Sequence, residues 1–76
     1  MENPERTKFN IAFGVYIKNA RLNKGLLQGE VSRHLGISQS YFCDIESGKK
    51  NVDLHLAHKI CKSLGISLYD FLKKQK

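Results

Sequence analysis

Nothing in this chain approaches the ~18 consecutive apolar residues that a membrane span requires. The first residues, Met1-Glu2-Asn3-Pro4-Glu5, have neither the basic start nor the apolar stretch of a secretory signal. The expectation is a cytoplasmic protein with no membrane partner. Tryptophan is absent and proline occurs only at Pro4, which leaves the rest of the chain free for continuous helices. The two cysteines, Cys43 and Cys61, form no CxxC motif. In a reducing compartment such residues serve as small buried hydrophobes. Regularly alternating apolar and polar runs are missing, and with them any sign of a sheet. A glycine-rich phosphate loop, an ordered Ser/His/Asp set and paired carboxylates are missing too. There is no basis for an enzyme, a cofactor or a small-molecule ligand.

Acids are scarce as well. Seven Asp and Glu stand against 13 Lys and Arg, a formal charge of +6 in 76 residues. An excess of that size favours polyanionic partners. The length allows one domain of about 11 Å radius of gyration. A chain so short has little room for a core and an enclosed site together.

What is present is helical periodicity. Residues 1–8 are polar and read as a flexible N-terminal arm, with one domain over 9–74. Phe9, Phe13, Tyr16, Ile17 and Ala20 then share one stripe, which predicts a first helix over 8–24, stopped by Gly25. Val31 and Leu35 mark a second helix from Gln28, ended by Gly36. Ser38 caps a third, in which Phe42 and Ile45 turn inward and Gln39, Ser40, Tyr41 and Asp44 stay outside. Asp53 is the expected cap of a fourth helix with Leu54, Ala57, Cys61 and Leu64 inward. Ser67 opens a fifth over about 68–74, with Phe71 and Leu72 inward and Lys73, Lys74 and Lys76 solvated.

Residues 28–47 have the make-up of two helices crossing over a tight turn. Ser32 is small where the helices approach, Gly36 tolerates positive φ, Ile37 plugs the core, and Phe42 and Ile45 pin the second helix. Its opposite face is polar, rich in hydrogen-bonding groups and slim enough for a groove about 12 Å wide. His55, His58 and Cys61 follow at spacing three on one helix, but three such steps sweep through about 240°. Cys61 also falls on the core stripe, so no metal site is assigned.

Several stretches together resemble the lambda-repressor-like helix-turn-helix proteins, the Cro/CI or XRE family. They are Arg21-Leu22-Asn23-Lys24-Gly25-Leu26, Gln28-Gly29-Glu30-Val31-Ser32, Leu35-Gly36-Ile37-Ser38-Gln39-Ser40-Tyr41, Ile45-Glu46-Ser47-Gly48-Lys49-Lys50-Asn51 and Leu64-Gly65-Ile66-Ser67. The resemblance covers about residues 13–72 and implies an all-α, five-helix DNA-binding domain acting in transcriptional regulation. It implies base contacts by Gln39, Ser40 and Asp44. Phosphate contacts would come from Gln28, Ser38, Tyr41, Lys49, Lys50 and Asn51, with Gln28 also bracing Gln39. Arg21 and Glu46 match a structural ion pair. The chain departs from the family at Leu27, where Ser or Thr usually caps, at Ser32 for Ala, at Val52 for Pro, and in the acidic Asp44.

One recognition helix covers too few base pairs for useful selectivity, so the expected species on double-stranded DNA is a homodimer. Leu68, Tyr69 and Phe71 are expected as exposed apolar surface for the partner copy. A phage-type repressor, a restriction–modification controller and a stand-alone regulator fit alike. The reading from a different class is an antitoxin-type interaction module that holds a toxin.

Overall fold

A computed structural model describes residues 3–75, and their backbone is a succession of five helices. They are α1 (Pro4–Asn23), α2 (Gln28–Leu35), α3 (Gln39–Glu46), α4 (Leu54–Ser63) and α5 (Leu68–Lys73). No strand occurs among the described residues. The Cα radius of gyration is 11.7 Å.

Local chemistry accounts for most of the boundaries. The Ser38, Asp53 and Ser67 side chains each accept a bond from the backbone N–H three residues on, at 3.0, 2.8 and 3.0 Å. Gly25, Gly36, Gly48 and Gly65 each close a helix or its turn at φ between 69° and 80°, where a side chain would be strained. Leu27 has no capping side chain. Instead the Glu30 carboxylate reaches back and accepts from the Leu27 N–H at 2.8 Å, so α2 is capped from inside its first turn.

The first helix starts earlier than the periodicity suggests. Asn3 accepts from the Glu5 N–H at 2.9 Å, and Pro4 sits at the first helical position, where its missing N–H costs nothing. The part of the expected arm over residues 4–8 is therefore helical; residues 1 and 2 and Lys76 lie outside the described residues.

The core gathers Phe13, Ile17, Val31, Leu35, Phe42, Ile45, Ala57, Ile60, Cys61, Leu64 and Phe71. Phe71 meets Phe9, Phe13 and Tyr16 with ring centroids 5.0–5.4 Å apart. The Tyr16 hydroxyl donates to the Ser67 carbonyl at 2.8 Å and ties α1 to the start of α5. Burial pushes the Cys61 thiol up to about 11, so it stays protonated at neutral pH.

Four expectations about facing are corrected. Leu54 is 71% exposed and Leu72 41%, because each begins or ends a short helix beyond the reach of the core. Phe71 is only 4% exposed and belongs to the core, not to a free apolar surface. Cys43 is exposed, since it lies on the outer face of α3 while Phe42, Ile45 and Glu46 turn inward there.

Candidate nucleic-acid interface

The interface is built around α3. Eight residues at 1.5 Å rise make it about 12 Å long. Phe42 and Ile45 are almost fully buried and fix its rotation. With these two held inward, Gln39, Ser40, Cys43 and Ser47 form an exposed, hydrogen-bonding stripe, and Asp44 is half-buried beside it. No arginine or lysine lies on α3 itself; the cations come from its flanks.

The Ser38 hydroxyl, engaged as acceptor by Tyr41 N–H, keeps its own hydrogen for another bond. Tyr41 is half-buried at the first turn of α3. Lys49 and Lys50 are exposed immediately after the helix. The Lys49 N–H bonds back to the Asp44 carbonyl at 2.9 Å, which closes the helix and sets where the basic loop leaves. Gly48, at φ 80°, allows that turn. It also lies so close to Ile11 that an added Cβ would stand 2.7 Å from the Ile11 Cγ1.

A buried polar cluster holds α3 from behind. Arg21 Nε donates to Glu46 Oε2 at 2.7 Å and Nη2 to Oε1 at 3.0 Å. Arg21 Nη1 donates to the Leu26 carbonyl at 2.8 Å, so one guanidinium joins α1, the α1–α2 turn and α3. The Gln28 Nε2 group completes the Glu46 carboxylate at 2.8 Å. Gln28 therefore braces the ion pair and not Gln39, whose Oε1 would stand 3.2 Å from a Cβ on Gly29 of α2. The second Nε2 hydrogen of Gln28 and its amide oxygen are left for other bonds.

Two further contacts had no signal in the sequence. The α1 helix runs over the end of α3 at Gly14, where a Cβ would overlap the Glu46 carbonyl oxygen and stand 2.8 Å from that of Ile45. The Asn10 Nδ2 group donates to Asn51 Oδ1 at 2.6 Å and ties α1 to the basic loop across 41 positions of sequence.

On α5, Leu68 is half-buried and Tyr69 70% exposed. Among the described residues no group of three or more His, Cys, Asp or Glu could hold a metal ion. No helix there is long and apolar enough to cross a membrane.

The arrangement is shared with known proteins. The helix-turn-helix family profile matches residues 17–71. The chain is 33% identical to control protein C.BamHI of Bacillus amyloliquefaciens over 63 residues, 82% of this chain and 78% of that one. It is 37% identical to control protein C.MunI of a Mycoplasma species over 59 residues, 76% of this chain and 80% of the other. The structure superposes on the clp gene regulator ClgR of Corynebacterium glutamicum with a TM-score of 0.80 and 29% identity, over 86% of this chain and 69% of that one.

Proposed function

From the fact that this chain belongs to the Cro/CI-type (XRE) helix-turn-helix family and is a DNA-binding transcriptional regulator, not an enzyme, we propose that it reads a short operator as a homodimer, with α3 in the major groove. The observation that carries this reading is the exposed polar stripe of α3, held rigidly from behind by the Arg21–Glu46 cluster. Gln39 and Ser40 lead into the groove and face base edges. Asp44 accepts from a cytosine amino group at the groove floor. Gln28, Ser38, Tyr41, Lys49, Lys50 and Asn51 take phosphates on either side. Residues 9–74 act as the reading domain.

The second copy covers the face that carries Leu54, Tyr69 and Leu72. These exposed apolar side chains, with half-buried Leu68 and with Phe9 at the rim, are the material of a dimer contact. Phe71 supports that face from the core. A twofold dimer sets the two α3 helices in successive major grooves, about 34 Å apart. Two relatives are named control proteins, which favours the controller setting over a phage-type repressor or a stand-alone regulator. The antitoxin reading gains no observation of its own.

Selection from a random pool of short duplexes, followed by titration of the winner at two salt concentrations, tests the proposal. A palindromic preference with selective binding is expected; weak binding without any preference overturns it. Replacing Gln39 by Ala removes a bidentate amide and is expected to cost about 1–3 kcal/mol on the best site and relax one base position. An unchanged preference at every position would take Gln39 out of the groove. Lys50→Ala is expected to weaken binding to all sequences alike and to lower the salt slope by about two units, one for each protomer. A loss confined to one sequence contradicts a phosphate role.

A further inference from the structure

The polar contacts assigned above all lie on α2, on α3 and its Ser38 cap, or in the loop after it. Yet a cleft of about 650 Å³ opens between the first half of α1 and the end of α3. Arg6, Thr7 and Asn10 form one wall and Ser47, Lys49 and Asn51 the other. We propose that this cleft is a second phosphate-binding site, and that Arg6 and Asn10 of α1 clamp the DNA backbone just outside the base pairs that α3 reads. The proposal rests on the operator-reading function.

Four observations carry it. First, the cleft is continuous with the reading face: Ser47 is the last residue of the exposed stripe of α3 and also lines the cleft. A duplex held against α3 has to run its backbone past this opening. Second, the lining holds two cations, Arg6 and Lys49, and no acid. Neither has a carboxylate partner among the described residues. Two like charges facing one cleft repel, and an anion between them removes that repulsion. A guanidinium fork suits a phosphate with two parallel bonds.

Third, the hydrogen-bonding groups have the polarity an anion needs. The 2.6 Å bond from Asn10 uses one of its Nδ2 hydrogens and one lone pair of the Asn51 oxygen, so the second Asn10 hydrogen and both Asn51 Nδ2 hydrogens remain as donors. That bond also holds the loop wall against the helix wall before any ligand arrives. Ser47 gives its hydroxyl hydrogen to the Asp44 carbonyl at 3.1 Å and serves as structure.

Fourth, the cleft is rigid. Gly48 packs on Ile11 with no room for a side chain, so the turn that presents Lys49 is seated on α1. The helix itself begins at Pro4 with an Asn3 cap, which places Arg6 on ordered backbone and not on a loose arm. A preorganised site loses less entropy on binding than an arm that folds onto DNA.

The test is a salt series on the selected operator with wild type, Arg6→Ala, Asn10→Ala and Lys50→Ala. Duplexes carry a neutral methylphosphonate at each flanking position in turn. Arg6→Ala removes one contact from each protomer of the dimer; it is expected to lower affinity at least about fivefold, to reduce the slope of log affinity against log salt by about 1.8, and to leave the base preference unchanged. A methylphosphonate at the matching position of both half-sites, outside the contacted base pairs, should reproduce the loss in wild type and add nothing in Arg6→Ala. Asn10→Ala should show a smaller loss with the same positional signature. Arg6 is exposed, so unfolding midpoints should match wild type. Unchanged affinity and slope in Arg6→Ala, with Lys50→Ala impaired, would overturn the clamp and leave the operator reading intact. A wild type with no base preference would overturn the operator reading itself. A clamp on non-specific backbone would then still appear as the Arg6 slope change.

Discussion

Glu46→Ala is expected to destabilise the fold by about 3–5 kcal/mol. The carboxylate accepts from Arg21 twice and from Gln28 once, and its side chain is only 2% exposed. Removing it leaves a guanidinium with 8% side-chain exposure and a single remaining acceptor, the Leu26 carbonyl. Desolvating a charge without its partner is the costly half of any buried ion pair. A domain of this length holds only about 4–11 kcal/mol in total. A loss of that size removes a large fraction of the total. Urea unfolding by circular dichroism reads the effect directly.

The double change Arg21→Met with Glu46→Leu is the informative control. It removes both charges and should recover most of the loss, since a matched apolar pair often replaces a buried bridge without cost. Gln28 then loses its partner, so recovery should stop short of wild type. A Glu46→Ala variant within about 1 kcal/mol of wild type would mean that water or a rearranged Gln28 solvates Arg21.

The second large effect is at Gly14. A glycine inside a helix ordinarily costs about 0.5–1 kcal/mol relative to alanine. On that ground alone Gly14→Ala should stabilise α1. The structure reverses the sign. The new methyl would overlap the Glu46 carbonyl oxygen and crowd that of Ile45, and both are backbone atoms that cannot rotate aside. The helices must separate, at a cost of about 3 kcal/mol, the upper part of the range for overpacking. The displaced element is α3 with its reading face. Operator affinity should fall further than the loss of stability accounts for, even at temperatures where the variant remains folded. Thermal unfolding together with duplex titration at 10 °C separates the two losses. A higher unfolding temperature in Gly14→Ala would show that the close approach is relaxed in solution.

Both predictions turn on contacts between residues distant in sequence, and this marks how far the sequence could be read. Capping residues, positive-φ glycines and the apolar spacing of Phe13, Ile17, Phe42, Ile45, Ala57 and Cys61 act within one or two turns. Their consequences follow from local geometry, so five helices, their order and most of their ends were legible. So was the likeness of residues 13–72 to a family, because that family is defined by the same short-range signals. The start of α1 was misjudged because the polar residues after Pro4 carry no apolar period, while the Asn3 cap and Pro4 start a helix regardless.

Tertiary structure alone decided the rest. Periodicity puts Leu54, Leu72 and Phe71 on similar footing, but a small core reaches only the last of them, through three aromatic neighbours. Polarity marks Gln28 as a surface residue, yet its amide completes a carboxylate 18 positions away. Nothing near Asn10 points to Asn51, and nothing around Gly14 points to the end of α3. Sequence thus determined where the chain turns and which faces are apolar, since those depend on neighbours in the chain. Which polar groups meet, which apolar groups remain uncovered and where two backbones touch depend on how the helices cross, and only the packed molecule fixes that.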